Sequence, residues 1–173
     1  GLKFLRYDAQ IGRQLFVAAF PFVDLSFITT MSTIQDTMTA DHRHCDEFYT
    51  QAEKAAQVGD WAGASAAFER FDKSVRAHFD AEESLLFPAF EETTGMRMGP
   101  TEVMRGEHKQ MRALLDAGRA ALAARDEDEF TGNGETLLIM MQQHNVKEEN
   151  VLYPMCDQHL SGQRADLLAS MQQ

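Results

Sequence analysis

The feature that most constrains the fold of this chain is a histidine pattern that occurs twice with the same internal spacing. His42 precedes His78 by 36 positions, and His108 precedes His144 by 36 positions. Each second histidine opens the same run: three residues, two glutamates, one residue, two aliphatic residues, an aromatic residue and a proline. A pattern of this density indicates an internal duplication. It predicts two copies of one helical hairpin that carries metal ligands.

Periodicity and punctuation predict four long helices. The first spans 32–58, and the second begins after Asp60, which can cap its N-terminus, and ends near 93–95. The third runs from 99–101 to the turn at 125–126, the fourth covers 127–158, and Ser161 is expected to cap a short final helix. No segment alternates polar and apolar residues as a strand would. The prediction is therefore an all-α fold, an up-down-up-down four-helix bundle.

Two prolines occupy the same position in the two repeats. Pro88 and Pro154 lie late in the second and fourth predicted helices. Because proline removes one backbone hydrogen bond and crowds the preceding turn, each is expected to bend or end its helix.

Helix geometry gathers the repeated residues at one level of the predicted bundle. A side chain four positions after another lies on the same helix face, one turn further along. Each histidine–glutamate pair therefore offers an imidazole and a carboxylate to one point. The 36-residue interval returns the chain to the same level on the partner helix. The expected metal ligands are four histidines and two glutamates: His42, His78, Glu82, His108, His144 and Glu148.

This ligand set favours a dinuclear site. Imidazole and carboxylate ligands suit iron, manganese or zinc, and the lack of thiolate ligands argues against a structural zinc or iron–sulfur site. One histidine on an apolar stripe is usually a satisfied core residue, but four at matched spacing with two carboxylates indicate a metal site. Without a cation, buried Glu82 and Glu148 would carry a desolvation cost on the order of several kcal/mol. In ferritin-like di-iron proteins the glutamate instead precedes the histidine by three positions.

Several acidic residues adjoin the expected ligands. Glu83 and Glu149 lie about 100° round the helix from the ligand glutamates and are expected to point to solvent or to a neighbouring helix. Their best functional role would be to support a histidine from outside. Asp46 is a weaker ligand candidate, one turn after His42. Asp41 and Glu107 are expected to be helix-surface acids.

The remaining histidines are expected to lie outside the site. His44 is two positions from His42 and should be exposed. His159 is about 22 Å beyond His144 along the helix axis. Five further side chains are expected either to line the pocket or simply to pack in the core: Tyr49, Phe71, Met111, Met140 and Met141.

Charge and cysteine content restrict the partners and the compartment. The chain has 173 residues with a net charge of -11, which disfavours binding to nucleic acid or to an anionic membrane. Cys45 and Cys156 are expected on the order of 20 Å apart along the bundle, too far for a disulfide. We therefore expect two reduced thiols and a cytoplasmic location.

The first thirty residues differ in character from the rest. An apolar stretch at 14–28 is interrupted by Pro21 and Asp24, so it is too short and too broken for a membrane span. Met31 begins a stretch that is typical of a protein start. We therefore expect 1–30 to be an N-terminal extension and 31–173 to be the bundle domain. The extension should either pack on the bundle or contact a second copy in a homodimer, and should take no part in metal binding.

The duplicated motif resembles the hemerythrin-like HHE cation-binding family over about residues 35–160. The resemblance implies a four-helix bundle that holds a non-haem di-iron centre with an oxygen bridge, with the six residues above as ligands. The oxygen-carrying hemerythrins have a further histidine where this chain has Arg112. The four-histidine, two-glutamate set is similar to that of the iron–sulfur cluster repair proteins, which usually carry an additional N-terminal cysteine-containing domain that this sequence lacks.

The expected function follows from this resemblance. The chain is expected to bind or sense O2 or NO at two iron ions, with manganese or zinc as alternative metals, or to handle iron under oxidative or nitrosative stress. One alternative is a di-iron enzyme that reduces NO or turns over peroxide. Another is an iron store or donor for cluster repair.

Overall fold

The structure is a computed structural model that describes residues 33–171, and within this range it does not describe the side chains of His44 and Asp46. The expected exposure of His44 and the ligand role considered for Asp46 therefore lie outside the described residues. The same holds for the predicted extension 1–30 and its boundary at 31.

Every regular element within 33–171 is helical, as predicted. The α-helices are α1 Ile34–Gln57, α2 Trp61–Ala81, α3 Phe87–Thr94, α4 Pro100–Ala124, α5 Glu127–Lys147, α6 Tyr153–His159 and α7 Arg164–Met171. Two π-helical turns, π1 Glu82–Leu86 and π2 Glu148–Leu152, join α2 to α3 and α5 to α6 without a break. The four long helices of the bundle are thus α1, α2–π1–α3, α4 and α5–π2–α6. Within 33–171, no helix combines the length with the continuous apolar surface that spanning a bilayer requires.

Local signals set most of the helix ends. Asp60 accepts a hydrogen bond from the Gly63 backbone N–H at 2.9 Å, so the predicted cap of α2 is present. Gly95, with φ of 74°, ends α3 in the left-handed conformation that favours glycine. The prediction for Ser161 was wrong: α7 begins at Arg164, and the carbonyl of Gln163 accepts its first backbone bond, from Leu167 at 3.1 Å. A turn after α6 occupies the position of Ser161, so this residue lies before the cap.

The two prolines are accommodated by the π turns and do not end their helices. The Phe87 N–H donates to the Glu82 carbonyl five residues back, and the Tyr153 N–H does the same to Glu148. Each proline is then the second residue of the following α-helix. A wider turn relieves the clash that a proline ring makes with the carbonyl four residues before it, so the helix continues. Both π turns begin at an expected metal ligand.

The core consists of two apolar clusters separated by a polar layer. One cluster fills the end of the bundle built from the later part of α1, α2, α4 and the first part of α5, and includes Tyr49, Phe68, Phe71, Leu115 and Leu137. The other fills the opposite end and includes Ile34, Met38, Phe90, Met104 and Leu160. The buried histidines and glutamates lie in sequence between the two clusters on every long helix. The fold therefore places its buried histidines and glutamates in one layer, enclosed by apolar packing on both sides.

Candidate metal centre

Each long helix of the bundle contributes to one buried polar layer. His42 lies on α1, His108 on α4, and His78 and His144 lie near the ends of α2 and α5. The two glutamates follow at the first residue of π1 and π2. All six predicted ligands are buried, and the structure brings them together: His42, His78, Glu82, His108, His144 and Glu148.

The six residues divide into two groups, and each group could hold one ion. The possible ligand atoms of His42, His78 and Glu148 lie within 4.8 Å of one another. The same is true of Glu82, His108, His144 and Glu148. We call these groups the His42–His78 subsite and the His108–His144 subsite. Glu148 belongs to both.

The distances between histidine nitrogens suit a pair of ligands on one ion. The Nε2 atoms of His42 and His78 are 3.0 Å apart, and those of His108 and His144 are 3.1 Å apart. Two nitrogens that bind one ion at about 2.1 Å and about 90° would be separated by about 3 Å. Each histidine pair is thus spaced for a shared cation.

The two carboxylates lie between the histidine pairs. Glu148 Oε2 is 3.3 Å from His42 Nε2, and Glu148 Oε1 is 2.9 Å from His144 Nε2. Glu82 Oε2 is 3.3 Å from His108 Nε2 and 3.7 Å from His78 Nε2. Both carboxylates therefore face both subsites, which is the arrangement that bridging two ions requires.

Carboxylates on the outer side of the histidines orient three of the four rings. His42 Nδ1 lies 2.8 Å from Glu149, and His108 Nδ1 lies 2.7 Å from Glu83. His144 Nδ1 lies 2.9 Å from Glu107. Because an ionised carboxylate only accepts hydrogen bonds, these rings donate from Nδ1 and direct the Nε2 lone pair inward.

The donor set fits a metal cation. Four Nε2 atoms and two carboxylates converge on the centre, and all of these groups offer lone pairs. Glu82 Oε2 and Glu148 Oε1 are buried and accept no hydrogen bond. Buried oxygens are normally paired, so two orphaned carboxylate oxygens that face imidazole nitrogens indicate a positive partner. The residues present therefore suit two metal ions.

A comparison with known protein families agrees with this geometry. The family model of the hemerythrin HHE cation-binding domain matches residues 33–156, which includes all six centre residues. The chain belongs to this family. No curated protein and no solved structure matches it. The HHE domain therefore accounts for both the helical bundle and the cation-binding centre.

Tyr153 is a residue of this HHE centre that the sequence analysis missed. Its phenol oxygen lies 2.8 Å from Glu82 Oε1 and 2.9 Å from Glu148 Oε2, so its single O–H can donate to either carboxylate. The same oxygen is 3.3 Å from the Nε2 atoms of both His42 and His78. The equivalent position of the first repeat holds Phe87, which has no polar atom. This difference between two otherwise matched motifs was the signal that could have identified Tyr153.

The acids around the HHE centre differ in part from the prediction. Glu83 and Glu149 make the predicted contacts with histidines. The interpretation of Glu107 as a surface acid was wrong, because its side chain is 19% exposed and reaches His144. Asp41 is exposed as expected, at 59%, and its Oδ2 lies 3.9 Å from His78 Nδ1.

Arg112 is not a candidate metal ligand in this chain and instead contacts acidic residues behind the histidines. Its Nη1 donates to Glu83 at 2.7 Å, its Nη2 donates to Asp80 at 2.9 Å, and its guanidinium lies over the Phe79 ring. It therefore fixes the carboxylate that orients His108. Lys147 makes the corresponding ion pair with Glu107, behind His144. Both rings of the His108–His144 subsite are thus held by a carboxylate that is itself paired with a cation.

Burial and mutual charge strongly perturb the ionisation of the centre. Burial and the charge of Glu148 raise the pKa of Glu82 well above its usual range. Burial also opposes ionisation of Glu148, but the nearby His144 and His42 hold its pKa well below the usual range. Burial, with the charge of His144, lowers the pKa of His108 to about 4. Before any ion binds, burial therefore favours the protonated form of Glu82 and the neutral form of His108, and the neutral imidazole can act as a ligand.

The other predicted residues lie outside the centre. Tyr49, Phe71, Met111 and Met141 belong to the apolar cluster at one end of the bundle, and Met140 packs against that cluster. His159 lies beside Phe90 on α6, away from the six ligand candidates. Cys45 and Cys156 are buried and are not joined by a disulfide, as predicted. Core packing therefore accounts for the hydrophobic residues that were considered as pocket lining.

Proposed function

We propose that this chain is a non-haem di-iron protein that binds or senses O2 or NO, or handles iron under oxidative or nitrosative stress. The observation that carries the proposal is the position of Glu148, whose two oxygens face different histidine pairs. A single ion does not require a carboxylate shared in this way. Imidazole and carboxylate ligands suit iron.

Each ion would keep room for a further ligand. Two imidazoles and the shared carboxylates supply about four protein ligands, whereas non-haem iron sites of this type leave coordination positions open. Iron, when bound, would supply the redox change and the site at which a diatomic molecule is held. The apolar clusters on both sides of the centre exclude bulk water, and the outer carboxylates keep the ligand rings in place.

The first test is the iron content of histidine variants. We expect two iron ions per chain in the wild type after anaerobic loading, and the loss of at least one in His78→Ala or His144→Ala, because each replacement removes a nitrogen from one subsite. His159→Ala is the matched control and should retain two ions. O2 or NO added to the reduced protein should change the iron-dependent absorption of the wild type and of His159→Ala. Unchanged iron content in both ligand variants would refute the ligand set.

A di-iron enzyme is the second candidate, and Tyr153 favours it. Its phenol brings a proton to the two central carboxylates, which a reaction that consumes protons, such as NO reduction or peroxide turnover, requires. Stopped-flow mixing of NO with the reduced protein distinguishes the two functions. Turnover must yield nitrous oxide, whereas binding alone gives a stable spectrum and no nitrous oxide.

The cytoplasm remains our proposal for the compartment. Neither Cys45 nor Cys156 forms a disulfide within residues 33–171, and burial raises the pKa of Cys156 to about 12. A thiol of this kind resists oxidation because little thiolate forms. Free thiols are typical of a reducing compartment.

A further inference from the structure

The two subsites differ in how their histidines are supported. Both rings of the His108–His144 subsite donate from Nδ1 to a carboxylate, at 2.7 Å and 2.9 Å. In the other subsite only His42 does so, at 2.8 Å. His78 Nδ1 is buried and has no hydrogen-bond partner among the residues that the structure describes. Among the four histidines, His78 is therefore the one without an outer carboxylate.

A difference between the two sequence repeats explains why His78 has no outer carboxylate within hydrogen-bond distance. Asp41 in the first hairpin stands where Glu107 stands in the second. Each residue directly precedes the first histidine of its repeat and faces the second. Glu107 reaches His144, whereas Asp41 Oδ2 stops 3.9 Å from His78. That distance exceeds the upper end of the usual 2.7–3.2 Å range by about 0.7 Å, and one methylene adds about 1.5 Å of reach.

The outer side of His78 also faces open space. A cleft of about 350 Å³ is lined by Thr37, Asp41, Ser74 and His78, among others, and is bordered by Met171 of α7. Ser74 does not fill the role of the missing carboxylate: its hydroxyl accepts from the Cys45 thiol at 3.3 Å, and it makes no hydrogen bond with His78 Nδ1. His78 can therefore tilt towards this cleft without breaking a hydrogen bond at Nδ1.

We infer that the two metal ions are unequally held, and that the ion in the His42–His78 subsite is the one that exchanges. This inference rests on the proposed dinuclear centre. A carboxylate behind a ligand histidine fixes the ring and raises its basicity, and its loss typically weakens metal binding about 10- to 100-fold. The side chain of Asp41 is thus too short to position His78, which makes one ion labile, and the cleft beside His78 is the route by which that ion leaves.

The test is a reciprocal exchange of the two acids in the full chain. Protein loaded anaerobically with Fe²⁺ is mixed with an excess of a chromogenic Fe²⁺ chelator, and release is followed over time. We expect two phases of one ion each in the wild type. Asp41→Glu should slow the fast phase about 10- to 100-fold, and Glu107→Asp should accelerate the slow phase to a similar extent. Asp41→Asn changes the charge of the side chain but not its length, so the rate of the fast phase should stay within a few-fold of that of the wild type.

Mössbauer spectra of ⁵⁷Fe-loaded protein give an independent readout. The wild type should show two iron environments that become more alike in Asp41→Glu. Two ions released in a single phase, or a fast phase that Asp41→Glu does not slow, would overturn the inference while leaving the dinuclear centre intact. A wild type that holds fewer than two ions would overturn both. Every variant keeps Tyr153, so the phenol cannot cause a difference between them.

Discussion

At the scale of single residues, the centre combines groups whose environments push their ionisation in opposite directions. Burial lowers the pKa of His78 and His108 and raises that of Glu82. His42 differs: burial opposes its protonation, but Glu148 and Glu149 raise its pKa. In each subsite, the histidine with the lowered pKa is the less easily protonated one, so its ring nitrogen is the more available to bind a metal ion.

Tyr153 should stabilise the protein chiefly when no metal is bound. Its single O–H lies within reach of two buried carboxylates, each of which already has a second oxygen without a hydrogen bond within residues 33–171. We expect Tyr153→Phe to lower the free energy of unfolding of the metal-free protein by about 1–3 kcal/mol. The loss should shrink when metal is bound, because the ions then satisfy the carboxylates. Urea unfolding of both forms measures the difference.

Tyr49 provides the control for this prediction. Its hydroxyl is buried and has no hydrogen-bond partner, so Tyr49→Phe removes an unsatisfied group and should leave the unfolding free energy unchanged or raise it. Equal losses in the two variants would mean that the hydrogen bonds of Tyr153 contribute nothing.

At the scale of helices, close contacts between neighbours explain features that helix propensity does not. Gly134 lies within α5, where glycine is unfavourable by about 1 kcal/mol relative to alanine. A Cβ atom built there would lie 1.5 Å from Tyr49 Oη. The glycine therefore lets the tyrosine of α1 pack directly against the α5 backbone, which brings these helices together just beyond the metal centre.

Gly134→Ala should therefore destabilise the bundle even though alanine is the better helix former. Displacement of the Tyr49 ring in a packed core is expected to cost about 1–3 kcal/mol. Gly132→Ala is the matched control in the same helix, since nothing lies within 4 Å of its Cβ position. That variant should gain up to about 1 kcal/mol. Thermal unfolding of both variants decides the matter: a gain in Gly134→Ala would show that Tyr49 moves away without cost.

At the scale of the whole molecule, the charged layer divides the core into two apolar clusters, and a metal centre joins all four long helices through that layer. Cation binding is then coupled to protonation, because the ligands must bind in their deprotonated forms. Glu82 holds a proton more tightly than a free glutamate, so an incoming ion must displace that proton.

Metal affinity should therefore fall as the pH falls. Below the raised pKa of Glu82 the carboxyl group is protonated, and each tenfold rise in proton concentration should reduce Zn²⁺ affinity about tenfold per displaced proton. Burial keeps His108 neutral down to about pH 4, so near neutrality His108 has no proton to release when a metal ion binds. Competition titrations between pH 5 and pH 8 measure the slope, and a pH-independent affinity would contradict the assignment.

Side-chain placement within a helix was predictable from the sequence, whereas contacts between helices were much less so. The four long helices and the common level of six ligands followed from the 3.6-residue period and the repeated interval, which are local properties of the chain. The supporting contacts of Glu83 and Glu149 followed from their place beside a ligand. Glu107 and Tyr153 were misjudged or missed, because their contacts depend on how far one helix is turned towards another.

The sequence by itself determined the helical bundle, the duplicated set of candidate ligands and the membership of the chain in the HHE family. The physical reason is that hydrogen bonding within a helix fixes the direction of each side chain by its position along the helix. The tertiary structure alone decided which carboxylate reaches which histidine. Asp41 and Glu107 occupy equivalent positions, yet Asp41 stops 3.9 Å from the Nδ1 atom of His78, beyond hydrogen-bond range, whereas Glu107 lies 2.9 Å from that of His144. A hydrogen bond is lost when its two atoms are only a few tenths of an ångström too far apart. Side-chain length and helix rotation therefore make two sites differ that the sequence pattern predicts to be equivalent.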